Sequence, residues 1–216
     1  MSEPIRILIV EDLPTDADLA MREIRKSLPD CVFQRVETEP AYLEALEQFK
    51  PDLILSDYQM PRFTGMQALK LAQEHAPLIP LIIYTGSLNE EIATDCMKAG
   101  AANYIIKENI ARLRTAVIHA LEEKKVRVER KLTEEALKKS ENQYRHLFDN
   151  ANDVIIIFEP EHEIVLEANA VACATYGYSH DELVGMSQKK FSKDVNKGEA
   201  HIQGFLAGQP QANFER

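Results

Sequence analysis

Glu11, Asp12, Asp57, Thr85 and Lys107 are the residues of this chain whose types and placement could do chemistry together. Glu11 and Asp12 follow the apolar run Ile5-Arg6-Ile7-Leu8-Ile9-Val10, and Asp57 follows Leu53-Ile54-Leu55-Ser56. Thr85 follows Leu81-Ile82-Ile83-Tyr84, and Lys107 follows Tyr104-Ile105-Ile106. Three carboxylates held close together repel one another unless a cation joins them. With oxygen donors only, Mg²⁺ is the default cation: it takes one or two carboxylates, keeps waters and shares phosphate oxygens. A carboxylate can also be a nucleophile that forms an aspartyl-phosphate, with the metal neutralising charge on the transferring group. A lysine brings a point charge to a phosphate oxygen and a hydroxyl brings a hydrogen bond. Gly86, after Thr85, leaves room beside a phosphate and frees a backbone N–H.

A scaffold must bring positions 11 and 107 to one place. The β-branched run at 5–10 reads as a strand. Residues 15–28 repeat apolar positions at helical spacing (Leu19, Met21, Ile24, Leu28). Val32 to Val36 predicts a second strand, followed by a helix around Tyr42, Leu43 and Leu46. Leu53-Ile54-Leu55, preceded by Pro51, is a third strand, and Leu69 and Leu71 belong to a helix after Gly65. Leu81 to Tyr84 is a fourth strand, followed by a helix from about Asn89 to Lys98 that closes at Gly100. Tyr104-Ile105-Ile106 is a fifth. Strands alternating with helices imply a parallel sheet covered on both faces, and the strands are continuously apolar, as that burial requires. In an open sheet of this kind, ligands bind outside the carboxyl ends of the strands near a topological switch point. All five polar residues fall there. Alone, Thr85 could be a helix N-cap and Lys107 a surface lysine; together, chance is a poor explanation.

Residues 1 to about 120 resemble the receiver domain of bacterial and archaeal two-component response regulators. The likeness rests on Ile-Leu-Ile-Val-Glu11-Asp12 and on Leu-Ser-Asp57-Tyr-Gln59-Met-Pro with Gly65 eight residues after Asp57. It rests also on Thr85-Gly86 and on Lys107. The resemblance implies a flavodoxin-like, doubly wound five-stranded parallel sheet in the order 2-1-3-4-5. It implies that Asp57 accepts a phosphoryl group from a sensor histidine kinase or phosphotransfer protein, assisted by Thr85 and Lys107. Glu11, Asp12, Asp57 and the backbone carbonyl of Gln59 would hold Mg²⁺; Thr85, Gly86 and Lys107 would bind phosphate. Tyr104 occupies the family's aromatic switch position and would turn inward when Thr85 engages phosphate. Glu108 stands where the family often has proline after the lysine, which bears on the loop there and not on the chemistry.

From Ile110 to about Phe148 there is no Gly and no Pro, and the stretch is rich in Ala, Glu, Lys, Arg and Leu. It reads as one long helix or two abutting ones; 39 residues would reach ~58 Å at 1.5 Å per residue. Leu113, Val117, Leu121 and Val128 form one stripe at heptad-like spacing, and Leu137, Tyr144 and Leu147 another. The two are out of phase near Leu132, which suggests a stutter. Such stripes could be a parallel homodimer seam carrying signal between domains, or could pack on the chain's own domains.

The third piece predicts strands at Val154–Phe158 and Ile164–Leu166, joined by a turn at Glu159-Pro160-Glu161-His162. A short helix opens at Asn169 and ends near Gly177. Ser179-His180-Asp181-Glu182 has the form of a capping box. These residues resemble the N-terminal part of a PAS domain, an α+β fold, with Tyr144 to Asp149 as its leading helix. The sequence ends at Phe214-Glu215-Arg216, where the family's third strand would begin, so the expectation is a PAS fragment of a longer sensor protein. The expected layout is a receiver at 1–121, a helical linker at 122–143 and partial PAS at 144–216. No haem or flavin is expected: Cys173 lies in Val-Ala-Cys-Ala-Thr, not the Asn-Cys-Arg-Phe context of flavin-binding relatives, and His201 is a lone histidine.

Composition closes off other classes. The chain has 216 residues, 45% hydrophobic and 28% charged, ordinary for a globular protein. Lys+Arg 25 against Asp+Glu 35 leaves −10, spread as 10 − 18 = −8 over residues 1–110, 10 − 6 = +4 over 111–148, and 5 − 11 = −6 over 149–216. An acidic whole argues against non-specific nucleic-acid binding, and no helix-turn-helix follows the receiver, so no direct DNA binding is expected. Apolar runs are too short for a bilayer and no signal peptide opens the chain. Three cysteines without CxxC spacing suit a reducing, cytoplasmic setting. His119 and His146 lack the sequence context of a phosphorylatable kinase histidine, and no glycine-rich ATP lid is present. A kinase or cyclase output could lie only in a longer parent chain. The alternatives left open are a pseudo-receiver scaffold and a flavin-dependent enzyme.

Overall fold

The computed structural model describes residues 4–86, 90–159 and 161–190. The chain divides into two compact units, Met1–Thr133 and Glu134–Arg216.

In the first unit, five strands form one parallel sheet: β1 (Arg6–Val10), β2 (Val32–Val36), β3 (Leu53–Ser56), β4 (Leu81–Thr85) and β5 (Asn103–Ile106), in the order β2-β1-β3-β4-β5. Between them run α1 (Pro14–Arg25), α2 (Glu39–Gln48), α3 (Gly65–His75) and α4 (Glu90–Lys98). Strand side chains alternate faces, and both faces are covered. Ile7, Ile9, Leu53, Leu55, Ile82, Tyr84 and Ile105 bury against Ala17, Ala20 and Ile24 of α1 and against the start of the long helix α5 (Ala111–Asp149). Leu8, Val10, Ile54, Leu81 and Ile83 bury against Tyr42 and Leu46 of α2, Ala68 and Leu69 of α3, and Cys96 of α4. A sheet apolar on both sides explains why the strands are continuous apolar runs.

Two sequence expectations shift here. Leu19 is 52% exposed, and α1 buries alanines instead, because the close approach of a helix to a sheet favours small side chains. Leu28 lies beyond the end of α1 in a turn whose N–H groups return to the Ile24 carbonyl, yet it still packs on the core.

The connector is one uninterrupted helix, α5, of 39 residues. The first part of its apolar stripe is not free to be a seam. Leu113 and Val117 are fully buried on the first unit's own sheet, and Leu121 packs beside them. Arg114 Nε reaches Glu23 Oε1 at 2.8 Å, and Lys124 Nζ reaches Asp52 Oδ1 at 2.8 Å.

In the second unit, β6 (Ile156–Glu159) and β7 (Ile164–Ala168) pair antiparallel. They are followed by α6 (Ala170–Tyr176) and α7 (His180–Leu183), and among the described residues Val165, Ala168, Ala172 and Leu183 are buried together. β6 begins two residues later than expected, since the Ile155 N–H is taken by the Asn169 side chain. Glu182 accepts hydrogen bonds from both the N–H and the hydroxyl of Ser179, as the capping sequence predicts. α6 ends at Gly177, whose φ of +75° lies in the left-handed region that favours glycine. The predicted third strand near Phe214, and His201, lie outside the described residues.

Candidate functional site

Parallel register fixes which residues leave the sheet together. Val10 pairs with Ser56, so Glu11 and Asp57 emerge side by side at the carboxyl ends of β1 and β3. Thr85 pairs with Ile106, so Lys107 leaves β5 next to the end of β4. The order β2-β1-β3 makes the end of β1 the switch point of the sheet.

The backbone there is held firmly. Glu11 N–H donates to the Val36 carbonyl, and Asp57 N–H donates to the Val10 carbonyl. The Ser56 hydroxyl donates to the Asp57 carbonyl. Gly65 belongs to the same arrangement. Its N–H donates to the Tyr58 carbonyl, and a Cβ at that position would lie 2.5 Å from the Asp57 carbonyl oxygen and 2.9 Å from the Tyr58 Cα. Only glycine lets α3 start this close behind Asp57. Thr64 caps that helix, in reciprocal bonding with Gln67.

Glu11 is 2% exposed and Asp57 8%. Lys107 Nζ donates to Glu11 Oε2 at 2.7 Å, Asp57 Oδ2 at 2.8 Å and Asp16 Oδ2 at 2.7 Å. The second oxygen of Asp57 accepts the Gln59 N–H, and that of Glu11 accepts the Leu13 N–H. Burial works against the Lys107 charge, but its hydrogen bonds to Asp16, Asp57 and Glu11 outweigh it, so the amine titrates well above its ordinary value. Burial raises the Glu11 carboxyl, and Lys107 opposes this without cancelling it.

Glu11, Asp12 and Asp57 each offer an oxygen within 4.8 Å of the others. A cation bonded at ~2.1 Å keeps opposite ligands ~4.2 Å apart. A small contraction would therefore close the set on one hard divalent ion, and an all-oxygen, multiply acidic donor set suits Mg²⁺. Thr85 is buried at the end of β4, and Tyr104 is half-buried against the cluster that includes α2, α3 and α4. Among the described residues, a Cβ on Gly86 would meet nothing within 4 Å.

Two residues were not legible in the sequence. Asp16 reads as an ordinary acidic residue in the first turn of a helix. Arg35, on β2, reads as a solvent-facing strand residue. It pairs in register with Ile9, and its guanidinium donates to the Glu11 carbonyl at 2.8 Å, holding the turn that carries the acidic pair. Knowing that β2 lies beside β1 is what could have found it.

Comparison with known proteins agrees with this geometry. The response regulator receiver domain family matches residues 7–118, and a PAS domain family matches residues 142–209. The regulator NtrC of Proteus hauseri is 34% identical over 87 residues, 38% of this chain and 18% of its own length. The two-component response regulator ORR1 of rice is 30% identical over 123 residues, 50% of this chain and 53% of its own. The chain thus spans less than two thirds of each of these curated relatives. Among solved structures, a signal receiver domain from Vibrio parahaemolyticus superposes with a TM-score of 0.53 at 26% identity, covering 58% of this chain and 95% of that one. A CheY-like receiver domain protein from Methanospirillum hungatei JF-1 gives 0.52 at 25% identity, covering 58% and 99%.

Proposed function

Because the chain belongs to the response regulator receiver domain family through residues 7–118 and carries a PAS domain match over 142–209, we propose that it is a phosphoacceptor switch of two-component signalling. Asp57 is the acceptor. The observation that carries this reading is a nearly buried carboxylate with two acidic neighbours and an ammonium at 2.8 Å. An Asp57 carboxylate oxygen attacks phosphorus, the bond from phosphorus to the donor's histidine nitrogen breaks, and that nitrogen leaves with the electron pair. Glu11, Asp12, Asp57 and the Gln59 carbonyl would hold Mg²⁺, which when bound neutralises charge on the transferring group. Lys107, Thr85 and the Gly86 N–H would hold the phosphate oxygens, and Tyr104 would follow Thr85 inward as the switch.

The proposed layout is a receiver at 1–121, a helical linker at 122–143 and PAS at 144–216. Receiver domains interact with histidine kinases or phosphotransfer proteins, and one of these is the proposed phosphodonor. Among the described residues no helix is long and apolar enough to cross a membrane. The free cysteines Cys31, Cys96 and Cys173 support a cytoplasmic setting.

The acceptor reading is tested by intact mass. With Mg²⁺ and a small phosphodonor such as acetyl phosphate, the protein should gain one phosphoryl group, and a chelator should prevent it. A protein that binds Mg²⁺ yet gains no mass would be a pseudo-receiver scaffold.

The linker is proposed to form a parallel homodimer. Leu137, Tyr144 and Leu147, the second apolar stripe, remain exposed on α5, Leu137 at 68%. A helical stretch without tertiary packing is marginal in water, and a second copy would cover these residues. Light scattering should give a dimer, and Leu137→Lys combined with Leu147→Lys should give a monomer. A monomeric wild type at tens of micromolar would end the dimer reading.

A further inference from the structure

The Lys107 ammonium has three N–H bonds, and three carboxylates take them. Glu11 and Asp57 have other duties at the proposed phosphoacceptor site, one toward the metal and the other toward phosphorus. Asp16 has none. It stands outside the acidic trio whose oxygens converge, and its one strong partner is Lys107 at 2.7 Å. We propose that Asp16 is a positioning residue for phosphoryl transfer, holding Lys107 from the α1 side while Glu11 and Asp57 turn to their other partners. The inference rests on the phosphoacceptor reading above.

The geometry suits such a role. Asp16 sits in the first turn of α1, where Pro14 presets the backbone and the Asp16 and Ala17 N–H groups both return to the Leu13 carbonyl. Ala17 and Ala20 fasten that helix to the sheet. The Asp16 side chain is 27% exposed, so it closes the open side of a lysine whose ammonium lies 5.7 Å from the Tyr84 ring centroid. A lysine is a compact charge on a flexible four-carbon stem. Aimed by Glu11 and Asp57 alone, it would lose its fixed partners when those carboxylates are engaged. Asp16, rooted in a packed helix, remains.

Two opposite effects of removing Asp16 can be separated. If its charge chiefly repels incoming phosphate, its loss should speed phosphorylation. If it chiefly aims Lys107, its loss should slow the step, since misplacement by about 1 Å can cost on the order of a hundredfold. We expect the second.

The test uses the full chain as wild type, Asp16→Asn, Asp16→Ala and Asp16→Glu. Aspartyl-phosphate formation is followed by mass at saturating Mg²⁺ across a range of acetyl phosphate, and Mg²⁺ affinity is measured separately by calorimetry. Asp16→Asn and Asp16→Ala should lose about tenfold or more in the rate at saturating donor. Mg²⁺ affinity should change less than about threefold, because Asp16 touches the lysine and not the acidic trio. Asp16→Glu, which keeps the charge, should recover part of the rate. Rates within twofold of wild type, faster rates, or a loss of Mg²⁺ affinity parallel to the loss of rate would each overturn the proposal. A wild type that gains no phosphoryl group sinks the phosphoacceptor reading itself. A phosphorylated wild type with unimpaired variants sinks only the role of Asp16.

Discussion

Lys107→Met should be both less stable and nearly inert as a phosphoacceptor. Lys107 is the cation within hydrogen-bonding distance of Glu11, Asp16 and Asp57, and two of these carboxylates are buried. Removing one partner of a buried ion pair leaves an uncompensated charge, which costs about 3–5 kcal/mol. Methionine fills the volume of the stem, so most of the loss is electrostatic. The pH dependence gives the signature. In the wild type, the raised Lys107 titration contributes stability that is present below the ordinary lysine range and lost only as pH climbs through the raised value. Between pH 6 and 9 this source gives a flat profile. In the variant, the unopposed carboxylates favour their protonated forms, beginning with Glu11, which burial already raises. A carboxyl raised in the folded state contributes stability at low pH that is lost as pH rises through its folded value. Urea midpoints of Lys107→Met should therefore fall more steeply from pH 5 to pH 8 than those of the wild type, where Lys107 limits the rise of Glu11. Mg²⁺ should restore part of the loss by binding only the folded state. The phosphorylation rate should drop about 10²–10³-fold, the usual cost of deleting one preorganised group from a developing negative charge. A variant as stable as wild type at pH 8 without Mg²⁺ would show that Lys107 is not the counterion of the cluster.

The centre of this site was legible because its residues stand at the ends of apolar runs, where a parallel sheet gathers them whatever their separation in sequence. Strand order then decided what was not. Arg35 matters only because β2 lies beside β1, a tertiary fact that local pattern does not carry. Asp16 was hidden by plausibility: an acidic residue in a first helical turn is favourable on dipole grounds alone, so nothing marked it as the third holder of Lys107. The first part of the stripe on α5 left its partner open for a related reason. Heptad-like spacing identifies an apolar face but not its partner, and the partner of Leu113 and Val117 is the sheet of their own unit. Gly86 shows the converse. Its freedom was read as space for phosphate, and among the described residues no atom lies within 4 Å of a Cβ placed there.

Asn169→Ala should produce the largest loss in the second unit. The Asn169 side chain is fully buried and makes four hydrogen bonds. Its amide nitrogen donates to the Phe148 carbonyl at 3.1 Å and to the Asp153 carbonyl at 2.9 Å. Its oxygen accepts from the Ile155 N–H at 3.0 Å and from the Ala172 N–H at 2.9 Å. One side chain thus joins the end of α5, the approach to β6 and the N-terminus of α6. Each buried polar group left without a partner costs about 1–3 kcal/mol, so losing four such bonds should cost on the order of 4 kcal/mol even if water reaches half of them. Among the described residues, the elements this side chain joins pack around Val165, Ala168, Ala172 and Leu183. Hydrogen exchange should show residues 154–176 losing protection while β1, β3 and β4 keep theirs. Asn169→Asp separates the hydrogen-bond account from simple packing. Aspartate has nearly the same shape and still accepts from the two N–H groups, but at neutral pH its other oxygen faces the Phe148 and Asp153 carbonyls with no proton to offer. It should be as damaging as alanine at pH 7 and should recover as the pH falls and the carboxyl gains a donor. An aspartate variant as protected as wild type at pH 7 would mean that shape alone, not donation to those two carbonyls, holds this corner of the fold.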